Sequence, residues 1–125
     1  MMNDKNKPED ISDRVFRFVV NVLKITATLP KNQMNLVLTG QLIRCVTSIG
    51  ANIEEARGAH TKTDSAYSMN IAKKESRETR YWLRLLLEMD PRFASAIKPL
   101  IQENEEIIKI LTAIVKTAKP RRFND

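Results

Sequence analysis

The sequence predicts an all-α fold, an up-down four-helix bundle formed by a single domain. Apolar residues recur at three- and four-residue steps along most of the chain. Strand-like alternation is absent. Gly is 3 and Pro is 5 in 125 residues, too few for a loop-rich β fold. A chain of this length supplies one core, and short connections make consecutive helices antiparallel neighbours. The domain spans residues 1–125, with 1–9 and 119–125 as polar, flexible ends.

The first helix is predicted over about Asp10 to Thr28. Val15, Phe18, Val22 and Ile25 share its apolar face, Asp10 or Ser12 caps its start, and Leu29-Pro30 ends it. The second is predicted over about Gln33 to Arg57. Leu38, Leu42, Val46, Ile49, Ile53 and Ala56 step by 4, 4, 3, 4 and 3, a sustained bundle seam. Gly58 is its stop, and Gly50 inside it costs about 1 kcal/mol relative to Ala. The third begins at Thr63 or Asp64 as N-cap and runs to about Met89, with Tyr67, Ile71, Trp82, Leu85 and Met89 on its apolar face. A helix of this size is about 40 Å long, which suits an elongated bundle. The fourth is predicted over about Arg92 to Ala118, with Pro91 in its first turn and Pro99 marking a later start or a kink. Its stripe is Ile97, Ile101, Asn104, Ile108, Leu111 and Val115.

Composition excludes several chemistries. With 1 Cys there is no intrachain disulfide, and 1 Cys with 1 His cannot build a Cys/His zinc cluster. Any Ser-His-Asp or Cys-His arrangement depends on His60 alone. Gly40, Gly50 and Gly58 lack the spacing of a phosphate-binding loop. No nucleophile–base–orienter set is legible, so the reading is not an enzyme, and no cofactor or metal is expected. The N-terminal residues lack the apolar stretch of a signal peptide, and no apolar run approaches the ~20 residues that cross a bilayer. A cytoplasmic chain without a membrane partner is expected.

The net charge of +6 favours an anionic partner. The strongest local hint is Lys73, Arg77, Arg80 and Arg84, spaced 4, 3 and 4 on the third helix. They fall within an arc of about 60°, nearly opposite the Ile71/Trp82/Met89 face, over roughly 16 Å of helix. Such a stripe neutralises several phosphates of a nucleic acid at once. The plainer reading is a solvated face partly paired with Glu88 and neighbouring acids. Lys116, Lys119, Arg121 and Arg122 add positive charge at the C-terminal end.

Glu75 and Glu78 lie on the same side of the third helix as Ile71 and Trp82, where an unpaired carboxylate is costly. Arg44, Lys74 and Asn52 are their candidate partners, and a structural polar network of Arg44, Asn52, Glu55, Lys74, Glu75 and Glu78 is expected. On the second helix, Arg44, Ser48, Ala51 and Glu55 line the face opposite Leu42 and Ile49, with small Gly40 and Thr47 nearby. A face so rich in small residues suits close approach by another helix or subunit better than solvent. Cys45 reads as a small buried hydrophobe, His60 as a helix-end residue and Trp82 as a core anchor.

Two runs carry a specific resemblance: QLIRCVTSIGANIEEA from Gln41 to Ala56, and IAKKESRETRYWLRLL from Ile71 to Leu86. They resemble the four-helix-bundle family first noticed as reading frames in intervening sequences of bacterial large-subunit ribosomal RNA genes. The matching positions are Gln41, Leu42, Arg44, Ser48, Ile49, Gly50, Ala51, Asn52, Ile53 and Glu55, then Lys74, Glu75, Glu78, Trp82 and Leu83. The loop around Thr61 and Ser65 departs from the family pattern. The resemblance implies a four-helix bundle, often assembled as a ring-like homopentamer, without known enzymatic activity. A related branch, the accessory variability proteins of diversity-generating retroelements, forms a basic pentameric barrel that binds nucleic acid and a reverse transcriptase. Its implication here is a homo-oligomer, pentameric by family number. The function expected is a non-catalytic accessory protein that holds RNA or DNA backbones through a basic helix face. The alternative is a protein-interaction scaffold that binds no nucleic acid.

Overall fold

The structure, a computed structural model, describes residues 10–118. The expected flexible ends, 1–9 and 119–125, lie outside the described residues, as do Lys119, Arg121 and Arg122. Four helices follow in order: α1 over Ile11–Thr26, α2 over Gln33–Arg57, α3 over Lys62–Met89 and α4 over Ala94–Ala118. The described residues contain no strand.

The first three helices each start where a side chain satisfies an orphan backbone donor. The Asp10 carboxylate accepts from the Ser12 N–H at 2.8 Å, and the Asn32 side chain accepts from the Asn35 N–H at 2.8 Å. For α3 the cap is Thr61, whose hydroxyl oxygen accepts from the Asp64 N–H at 3.0 Å, not Thr63 or Asp64 as the sequence suggested. α1 closes at Thr26, and Thr28 hydrogen-bonds back to Ile25 in a turn outside it. A 3₁₀ turn over Pro91–Phe93 precedes α4, so the helix begins after Arg92, and it continues through Pro99. Pro99 is exposed and lies in the second turn, where only one intrahelical hydrogen bond is forgone.

α1 packs on α2 and α4, and α3 packs on α2 and α4, so the helices stand at the corners of a square. Neighbours run antiparallel. Ser12 at the start of α1 donates its hydroxyl to Glu54 near the end of α2. The Arg14 guanidinium clamps Glu103 of α4 through two hydrogen bonds of 2.9 and 2.6 Å. Phe18, Leu42, Ile49, Leu83, Ile107 and Leu111 are among the fully buried side chains that fill the centre. The predicted α2 seam is the observed one, with Leu38 packed at its edge.

α3 departs from the prediction. Its buried line is Ala72, Ser76, Thr79, Leu83 and Leu86, and Tyr67 and Met89 are 69% and 52% exposed. Trp82 and Leu85 are half-buried at the flank rather than central. α3 is gripped by α2 on one side and α4 on the other. Small residues occupy the buried line from Ala72 to Thr79 and leucines occupy it at Leu83 and Leu86, while Trp82 and Leu85 lie at its sides. On α4 the buried line includes Leu100 and Ile107, while Ile101 and Ile108 are half-buried. Asn104 is wholly buried and donates to the Ser76 carbonyl at 3.0 Å.

By length and composition α2 alone, among the described helices, is apolar enough to cross a bilayer, although Asn35, Gln41, Arg44, Asn52 and Glu54 interrupt its apolar runs. Apolar residues sit on two of its faces. One face is the core, and the other carries Leu36, Val37 and Ile43 to the surface.

Candidate functional site

Two surfaces of α3 and one groove beside α2 hold the chemistry of the molecule. Taking 100° per residue, the buried line of α3 divides its remaining circumference into a flank toward α2, an outer face and a flank toward α4.

The α2 flank carries the polar cluster. The Arg44 guanidinium donates to Glu78 and reaches Glu75 at 3.5 Å. It also lies 3.2 Å from the Cys45 sulfur and 3.2 Å from the Gln41 side-chain oxygen. The indole N–H of Trp82 donates to Glu78 at 3.3 Å, one helical turn away. Thus Arg44, Glu75 and Glu78 meet, together with Trp82 and Cys45. Other members of the expected network stand apart. Asn52 donates to the Ser48 carbonyl and hydroxyl within its own helix, and Lys74 and Glu55 are exposed.

Charge explains the state of this cluster. Burial tends to raise the Glu78 carboxyl, but hydrogen bonds from Trp82 and Cys45 and the Arg44 charge outweigh it and hold it below the ordinary carboxylate range. Burial first, then the neighbouring Glu78, pushes the Cys45 thiol up to about 12. Ligand atoms of Cys45, Glu75 and Glu78 lie within 4.8 Å of one another, a spacing that can hold a metal ion. Arg44 supplies a counter-charge to both carboxylates there.

The expected basic stripe divides between the other two sides of α3. Arg80 turns toward α4 and pairs with Glu105 at 3.4 Å, and Lys73 is half-buried on the same side. Arg77 and Arg84 are exposed on the outer face. The stripe is therefore not opposite the core, because the core line itself is rotated from the predicted one. The outer face is instead made by Lys74, Arg77, Tyr81 and Arg84, spaced 3, 4 and 3. Among the described residues, Lys73, Lys74, Arg77 and Arg84 make no ion pair. Tyr81, which periodicity alone did not single out, is 56% exposed between these cations. Its signal in the sequence is its place four residues after Arg77 and three before Arg84.

The α1–α2 groove is apolar. Phe16 of α1 is 69% exposed along it, and Leu36 of α2 is 58% exposed. Two depressions lie along it: about 290 Å³ beside Leu23, Leu29, Leu36 and Ile43, and about 260 Å³ beside Phe16, Val19, Gly50 and Ala51. A Cβ grown at exposed Gly40 of α2 would meet no neighbouring atom within 4 Å.

Comparison with known proteins places this arrangement. A family model described as 23S rRNA-intervening sequence protein matches residues 8–113. The fold is similar to the crystal structure of a protein of unknown function from the S23 ribosomal protein family of Bacteroides thetaiotaomicron. That protein is 34% identical, the match covers 86% of this chain and 99% of that one, and the TM-score is 0.78. No curated protein matches the chain significantly. Neither the family description nor the similar structure indicates a catalytic family. With four helices in the expected order and the family match across most of its length, the chain belongs to the 23S rRNA-intervening sequence protein family.

Proposed function

We propose that this chain is a non-catalytic, oligomeric accessory protein that binds nucleic-acid backbones through the outer face of α3. The observation that carries this reading is the row of exposed cations, Lys74, Arg77 and Arg84, without ion-pair partners among the described residues. A net charge of +6 supports it, and Lys73 and Arg80 extend the positive field toward α4. RNA is the favoured polymer because of the family's setting in ribosomal RNA genes. Backbone contacts of this kind position a polymer without reading its sequence.

Self-association belongs to the same reading. Exposed Leu36 and Phe16 each line an apolar depression between α1 and α2, of the sort that marks interaction surfaces. A second copy covering them, in a ring of five as the family resemblance implies, repeats the α3 face around the assembly. Simultaneous contacts then raise affinity through effective concentration. The groove also favours a second reading, a protein-interaction scaffold in which the cations only confer solubility.

A titration of structured RNA and duplex DNA at two salt concentrations separates the two. The first reading expects binding that falls steeply with salt and is weakened in a Lys73/Arg77/Arg80/Arg84→Ala variant. No binding at low salt supports the scaffold. Because Arg80→Ala also removes the Glu105 pair, the Arg77/Arg84→Ala double variant is the cleaner control.

A further inference from the structure

We propose that Tyr81 is a stacking platform for an unpaired base, so that the outer face of α3 selects single-stranded RNA over duplex. The inference rests on the nucleic-acid reading above and names the form of polymer that it takes.

Tyr81 is 56% exposed on a helix whose neighbouring outer positions are charged. Its ring is braced from within the fold. The Trp82 ring meets it edge to face, with centroids 5.0 Å apart and planes at 77°. Trp82 is in turn held by its hydrogen bond to Glu78, which Arg44 fixes from α2. An anchored aromatic loses little freedom when a base lies on it.

The surroundings divide a nucleotide into its parts. A depression of about 340 Å³ opens beside Tyr81, lined also by Arg84, Leu85 and Glu88. Leu85 gives it an apolar wall, and the opposite charges of Arg84 and Glu88 at its border leave it without a net charge to hold a phosphate. A neutral base is therefore the better occupant. Arg77, one turn before Tyr81, and Lys74, another turn back, offer cations for the flanking phosphates. Bases stacked within a duplex do not present a free face to such a platform, whereas unpaired bases do.

The test compares single-stranded oligoadenylate RNA with a duplex RNA of equal length at low salt, using wild type, Tyr81→Ala, Tyr81→Phe and Arg77/Arg84→Ala. Circular dichroism checks that each variant folds. The proposal expects tighter binding of the single strand. It also expects a loss of at least about fivefold in Tyr81→Ala, near-wild-type binding in Tyr81→Phe, and little change for duplex. Trp82, the single tryptophan of the chain, should lose fluorescence as the single strand saturates. Undiminished single-strand binding by Tyr81→Ala, with loss only in Arg77/Arg84→Ala, overturns stacking and leaves backbone binding standing. Equal or tighter binding of duplex also overturns it. Failure of wild type to bind any RNA, or binding of polyglutamate instead, overturns both the stacking proposal and the nucleic-acid reading.

Discussion

Cys45 and Glu78 show how a few side chains between α2 and α3 set one another's chemistry. The thiol is buried beside a carboxylate and held at about 12. At neutral pH it is therefore almost entirely protonated and a poor nucleophile. Alkylation by iodoacetamide at pH 7.5 should be slow in the native protein and become fast in denaturant; rapid labelling of native protein contradicts the burial described. Glu78 works in the opposite direction. Its folded-state pKa lies below the unfolded value, so the unfolded chain binds the extra proton in the interval between them. Its contribution to stability is present above the unfolded carboxylate pKa and is lost as pH falls through the depressed folded value. Glu78→Gln should flatten that acid limb in denaturation curves measured from pH 6 downward, and an unaltered slope argues against the Arg44–Glu78 pair as its source. The pairing of Arg44 with Glu75 and Glu78 was legible because two carboxylates on a packed flank demand a cation. Asn52 was not legible as a local residue, since its bond to the Ser48 carbonyl needs no second helix.

Among the elements, α2 was readable and α3 was not, for a physical reason. The α2 seam is made of Leu, Val and Ile, and its weight in any periodicity reading coincides with its burial. The α3 line runs through Ala72, Ser76 and Thr79, which have little apolar weight, while Trp82, Met89 and Tyr67 sit beside or away from it. The 4, 3, 4 and 3 steps from Ala72 to Leu86 were the available signal. α4 lies between these cases, with Asn104 correctly on its stripe and Ile101 and Ile108 at the margin. The helix interiors make a prediction of their own. A side chain grown at Gly50 meets Val19 and Val15 at 3.8 and 3.9 Å, ordinary van der Waals separation. Neither sterics nor a positive backbone angle requires glycine there. Gly50→Ala should stabilise the bundle by about 0.5–1 kcal/mol in chemical denaturation. Destabilisation by more than that amount means that Gly50 serves an approach outside this chain, which the groove beside Phe16 and Ala51 makes the natural place to seek.

At the scale of the whole molecule, the square of helices leaves one apolar face and one cationic face, and both lie on helices that have already satisfied a core. The family and the bundle were legible in the sequence, from the two motif runs and the helical spacing. The position of the cationic face was not, because it follows from the rotation of α3. If a second copy covers the α1–α2 groove, a carboxylate placed there without a partner should break the assembly while sparing the fold. Leu36→Glu, at a position 58% exposed, should shift sedimentation from a multiple of the chain mass to the single chain with helicity retained; a wild type that already sediments as one chain contradicts self-association. The central claim is that α3 holds phosphates by charge, and the salt dependence of RNA affinity tests it most directly. The logarithm of the association constant should fall linearly with the logarithm of salt concentration. Each phosphate that Arg77/Arg84→Ala leaves unneutralised should make the slope shallower by roughly 1. A wild-type affinity that does not change with salt, or a double variant with the wild-type slope and affinity, contradicts the claim.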